Sequence, residues 1–270
     1  MAHRTMKTVI VFIFLTLVGV FGAFSFGDRT AGEEQTAREA PEPAGEEEGV
    51  AVVREQQRDR AMSQEWRRRR DVDREVWTRP EGPVRVALQA GHWKAAEAPD
   101  EQSGLRNNGT RGGGLAEWEV NLAIARRTAA LLEAEGYAVE VLPTTIPPGY
   151  WADVFVSIHA DGSANGSVSG YRAAAPRRDR TGRASALAAL LTRTYGVATG
   201  LPHYPTITRR MRSYYAFNHR RYRHALHPMT VGVILETGFL TSALDRRVIV
   251  HGQDLAARGI AEALIQFVSP

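Results

Sequence analysis

Four side chains stand where this sequence can do metal-assisted hydrolysis: His92, Glu117, His159 and Glu236. His92 follows the apolar run Val84-Arg-Val-Ala-Leu-Gln-Ala90 and one glycine. His159 closes Asp153-Val-Phe-Val-Ser-Ile-His159, Glu236 closes Val231-Gly-Val-Ile-Leu-Glu236, and Glu117 comes just after the glycine-rich stretch Gly109–Gly114. The 270 residues include no cysteine, which excludes disulfides, zinc fingers, iron–sulfur clusters and thiol nucleophiles. A metal must therefore be held by His, Asp or Glu. Two imidazoles and one carboxylate are an established ligand set for a catalytic zinc that keeps one position open for water. The second carboxylate is then free to act as a general base.

Such side chains can meet only if a scaffold carries them to one place. The three runs ending at His92, His159 and Glu236 read as strands, the last two nearly all apolar as in a strand covered on both faces. Tyr137–Leu142 reads as a further strand and Tyr171–Ala175 as a short one. Glu117–Glu135 has a helical stripe of Val120, Ala123, Ile124 and Leu131, ended by Gly136. Gly182–Val197 is Ala/Leu-rich and helical, and Asp254–Val268 is an amphipathic closing helix. Alternating strands and helices predict an α/β domain with a mostly parallel sheet. In such sheets ligands gather at the carboxyl ends of the strands, where His92, His159 and Glu236 are expected.

The remaining sequence is of other kinds. Residues 1–27 carry His3, Arg4 and Lys7 and then an uncharged apolar run, the pattern of a secretory signal peptide or an N-terminal membrane anchor. Residues 28–83 read as a charged linker. Eight acids against two arginines up to Gly49 leave almost nothing to bury, so this part is expected to be disordered. The tract Arg67–Arg70 is diluted at once by Asp71, Asp73 and Glu75, so no nucleic-acid partner is expected. The net charge of +4 is an average; from Val84 onward 21 basic residues meet 15 acidic ones. Twelve arginines and one acid, Asp179, lie between Arg172 and Arg223, interleaved with tyrosines. In an exported protein this points to an anionic envelope partner. His203, His219, His224, His227 and His251 lack comparable context and read as rim or surface residues. There is no GxSxG elbow, HExxH helix, phosphate-binding loop or dinucleotide fingerprint.

The motifs Ala90-Gly-His92, Glu117-Trp-Glu-Val-Asn-Leu-Ala-Ile-Ala125, Val156-Ser-Ile-His-Ala-Asp161 and Leu235-Glu-Thr-Gly-Phe-Leu240 occur in fixed order. Together they resemble the zinc-dependent N-acetylmuramoyl-L-alanine amidases, bacterial cell-wall hydrolases of the division and sporulation type, over residues 84–270. The resemblance implies a mixed, mostly parallel sheet flanked by helices on both faces. It also implies peptidoglycan as substrate, Zn2+ as cofactor, His92, Glu117 and His159 as its ligands, and Glu236 as the catalytic glutamate. Export to the cell envelope follows, with residues 8–27 as signal or anchor. Glu119 rivals Glu117 but points elsewhere from the same helix. Three features depart from the family pattern: Trp93 and Lys94 replace the usual glycines, Pro143–Trp151 replaces a polar helix, and Asp161 stands where Asn is common. No inserted helix that would plug the site is evident, although 98–114 lies where it could cover it.

Overall fold

The computed structural model describes residues 77–269, so the expected signal or anchor at 1–27 and nearly all of the expected linker lie outside the described residues. Five strands form the main sheet: β1 (Arg85–Ala90), β4 (Ala138–Leu142), β5 (Val154–Asp161), β6 (Arg172–Ala174) and β7 (Val231–Phe239). Their order is β4-β1-β5-β7-β6, parallel except for β6, which runs antiparallel to β7 at the edge. The small ribbon β2 (Arg111–Gly112) and β3 (Leu115–Ala116) is separate. The long helices are α1 (Glu117–Ala134), α2 (Ala184–Thr199) and α5 (Gln253–Val268); α3 (Arg209–Arg212) and α4 (Ala243–Ile249) are short.

Side-chain alternation divides the sheet into two unlike faces. Val86, Leu88 and Ala90 of β1, Val154, Val156 and Ile158 of β5, and Val231, Val233 and Leu235 of β7 pack with α1, α2 and α5 into the main core. The opposite face bears Ala87, Phe155 and Ile234, covered by the connection 143–152, by α3, by a single 3₁₀ turn at Tyr215–Phe217 and by Leu226. Helical structure therefore flanks both faces, three long helices on one and only short turns on the other. The sequence expectation missed α3, α4 and the β2–β3 ribbon, all too short for a periodic signal.

Trp77 and Arg79 already belong to the domain. Arg79 pairs with Asp153, whose carboxylate also accepts the Arg85 N–H at 2.9 Å, and Trp77 packs on Trp151. At the strands' amino ends Trp77, Phe267 and Val268 meet Val84, Val154 and Val231 around a cleft of about 380 Å³. Both ends of the described chain thus lie at the same edge. Among the described residues no helix is long and apolar enough to cross a membrane.

Candidate active site

β5 and β7 are in register such that His159 lies beside Glu236, both at the carboxyl end and both on the face away from the long helices. Just past this pair, the ladder accommodates an extra residue in β7, and the Thr237 hydroxyl donates to the His159 carbonyl at 2.8 Å. Such bulges re-aim side chains beside active sites. β1 delivers His92 two residues beyond its end. His92 has φ of 62°, a left-handed conformation that costs a non-glycine residue about 1 kcal/mol or more. The turn is held by the His92 N–H donating to the Thr144 hydroxyl at 3.1 Å and by the Thr144 N–H donating to the Trp93 carbonyl at 2.8 Å.

Glu117 is the first residue of α1, where the unpaired N–H groups of the helix favour a carboxylate. It is buried, and its two oxygens are separately occupied. Oε2 accepts the Thr110 N–H at 2.8 Å; Oε1 accepts the Ala160 N–H at 3.1 Å and lies 3.0 Å from His159 Nδ1 and 3.5 Å from His92 Nε2. Asn121, one turn further along α1, donates to the Gly91 carbonyl at 3.0 Å and to Glu117 at 3.3 Å, tying helix to strand end. Glu119 is exposed and accepts the Ala116 N–H at 2.7 Å, capping the helix instead of entering the site.

The three expected ligands therefore converge, with one donor atom of each within 4.8 Å of the others; they form the metal-competent cluster among the described residues. Two imidazoles and a carboxylate without thiolate are the donor chemistry of a catalytic zinc, and an open cavity beside them leaves room for water and substrate. That cavity, about 600 Å³, is lined by His92, Glu117, His159 and Glu236 and rimmed by Asn108–Thr110, Gly162–Ala164, Arg210 and Thr241. Of the stretch 98–114 only 108–110 reach it. The preceding turn faces elsewhere, Glu101 accepting the N–H groups of Arg223 and His224 and pairing with the His224 ring. None of the other five histidines among the described residues lines the cavity.

The electrostatics separate the two glutamates. Burial works against ionisation of Glu117, but the His159 hydrogen bond and the charges of both histidines hold it down at about 2. Burial, reinforced by Asp161 and Glu117 and opposed by His159, pushes Glu236 up to about 8. Glu117 is thus a fixed anion and Glu236 a carboxyl poised to exchange a proton near neutral pH. Beside Glu236 in the β6–β7 ladder lies the buried Arg172, which donates to Asp161 and to the Thr206 carbonyl and packs over the Tyr204 ring. Asp161, where the family commonly has Asn, is therefore half of an ion pair within the site wall. Arg172, Asn121 and Tyr214 were not singled out from the sequence. Asn121 was detectable as a polar residue one helical turn from Glu117, and Arg172 as a charge inside the short strand expected at 171–175; Tyr214 lies on a segment with no periodic signal.

The sequence profile of the N-acetylmuramoyl-L-alanine amidases matches residues 86–266, two thirds of the chain and all of the sheet except Arg85. The chain belongs to that family. The amidase hydrolyses the bond joining N-acetylmuramic acid to L-alanine in peptidoglycan. Its fold is shared with solved structures of similar proteins. N-acetylmuramoyl-L-alanine amidase AmiC2 of Nostoc punctiforme matches with 22% identity and a TM-score of 0.51, over 70% of this chain and 99% of that one. The N-acetylmuramoyl-L-alanine amidase from Clostridium difficile 630 matches with 20% identity and a TM-score of 0.51, over 70% of this chain and 98% of that one. A comparison with curated protein sequences finds no match.

Proposed function

We propose that the amidase is zinc-dependent, with His92, Glu117 and His159 holding the ion and Glu236 acting as the proton-transfer residue. The convergence of those three donors beside a carboxyl of raised pKa, in one open cavity, carries this reading. When bound, zinc supplies positive charge that acidifies an attacking water and steadies the negative charge growing on the carbonyl oxygen. Glu236 takes the water's proton at its carboxylate as the oxygen attacks the lactyl carbonyl carbon. It then returns that proton to the L-alanine nitrogen as the C–N bond breaks. Glu117, ionised throughout and hydrogen-bonded to the Thr110 and Ala160 N–H groups, keeps both imidazoles facing inward. Arg172 holds Asp161 in the wall and so keeps a second negative charge compensated near Glu236.

Peptidoglycan lies outside the membrane, so we read residues 1–27 as the route of export, residues 28–76 as a spacer and 77–270 as the catalytic domain, which takes in Trp77 and Arg79. The mass of the protein isolated from its native host distinguishes a cleaved signal from a retained anchor. Glu236→Gln keeps zinc, measured by elemental analysis, and lowers turnover of purified sacculi by about 10²–10⁴-fold. Stems beginning with L-alanine are the product of the native enzyme; stems shortened internally would instead mark it as a peptidase. Full activity in the Gln variant would remove Glu236 from its role.

A further inference from the structure

We propose that Tyr214 is a positioning residue for His159 that determines which ring nitrogen of this histidine faces the metal. The inference rests on the metal centre proposed above and adds the device that orients one of its ligands. Gln89, fully buried on β1, places its Nε2 2.7 Å from the Thr144 carbonyl oxygen. A carbonyl oxygen can only accept, so this atom is the amide NH₂ and its partner Oε1 is an acceptor alone. Oε1 receives two hydroxyls, Ser157 at 2.7 Å and Tyr214 at 2.9 Å. Gln89 thereby gives the single hydroxyl proton of Tyr214 an acceptor.

What remains on Tyr214 is an oxygen lone pair, 3.3 Å from His159 Nε2. Nε2 can donate to it, while Nδ1 donates to the ionised Glu117 Oε1 in the metal-free site; Nδ1 is thus the nitrogen that faces the ligand cluster and gives up its hydrogen when zinc binds, Nε2 keeping its own against Tyr214. Tyr215 closes the network, accepting from Gln89 Nε2 at 2.6 Å and donating to the Thr144 carbonyl. The same Thr144 fixes the His92 backbone through its hydroxyl, so one buried network reaches both histidine ligands. Packing holds the hydroxyl of Tyr214 in place: its ring stands edge-on to His159 with centroids 5.5 Å apart and rests against Tyr215 at 4.7 Å.

Outer partners of metal-bound histidines typically change affinity by about 10–100-fold when removed. Tyr214→Phe keeps the ring and deletes the acceptor. Zinc affinity, measured by chelator competition, should fall within that range, and the ¹⁵N spectrum of labelled His159 should show Nε2 losing its hydrogen-bond partner. Ser157→Ala removes a donor to the same Gln89 oxygen without touching His159, and should cost less affinity than Tyr214→Phe. Unchanged affinity with an unchanged His159 spectrum in Tyr214→Phe overturns the proposal. A native protein that binds no zinc overturns the metal centre itself. A native protein that binds zinc with the hydrogen on Nδ1 leaves the metal centre standing and overturns only the role of Tyr214.

Discussion

At Gly91 the chain passes so close to the site that an added Cβ would lie 2.4 Å from Cε1 of the His159 ring. The glycine of the Gly-His pair is therefore a space requirement of a ligand contributed from another strand. Gly91→Ala should push the imidazole off its bonds to Glu117 and Tyr214 and weaken zinc binding by about tenfold or more, as read by chelator competition; native affinity would mean the ring can yield. Glu236 has the opposite character, since the protein is strained by keeping it. An unfolded glutamate releases its proton near pH ~4.3, whereas the folded metal-free protein holds it to about 8. Between those values the unfolded state is increasingly favoured as pH rises. Glu236→Gln should accordingly raise the thermal midpoint of metal-free protein at pH 8 and change it little at pH 5. An inactive variant that gains stability in this way is what a catalytic carboxyl retained for function would give.

Among the elements, the junction of β7 with α4 turns on one buried carboxylate. Asp245 is fully buried and accepts the N–H groups of Gly170 at 2.9 Å and Phe239 at 2.7 Å, together with the Ser169 hydroxyl. It pins the loop entering β6 to the end of β7, just beyond the Glu236 bulge. Removing it orphans those donors, and Asp245→Ala should cost about 3 kcal/mol or more in urea unfolding; a loss under 1 kcal/mol would mean water replaces the carboxylate. The sequence made β5 and β7 legible because a strand covered on both faces is apolar at every position, so His159 and Glu236 stood out where the runs stopped. Gln89 and Ser157 were visible in the same way, as polar interruptions in apolar strands, but their shared face emerges only once β1 and β5 are in register. The motif resemblance already chose Glu117 over Glu119, and the cap that Glu119 makes supplies the physical reason. The cover over the second face was illegible because Met211, Tyr214, Tyr215 and Leu226 follow no helical or strand period; tertiary contact alone fixes them.

For the whole molecule, the ligands come from residues as far apart as His92 and His159, so the site exists only when β1, β5 and α1 are assembled. Zinc should therefore bind the native state selectively and add about 2.7 kcal/mol at a hundredfold excess over its dissociation constant. Chelator treatment should lower the thermal midpoint and zinc should restore it; an unmoved midpoint would mean the ion does not bind the folded site. Burial pushes the His159 imidazole down, but Glu117 more than offsets this and holds it above its ordinary value, which favours the charged ring that a metal cannot bind until a proton is released. Calorimetry in buffers of different ionisation enthalpy should record that release, with affinity rising as pH rises. The location of the two ends of the described domain has a separate consequence, one of orientation. Trp77 and Val268 both lie at the strands' amino edge, while the cavity opens at the carboxyl edge. A segment that continues from Trp77 or Val268 therefore leaves the domain at the edge opposite its mouth, and the cavity stays open toward an insoluble polymer that cannot diffuse to meet it.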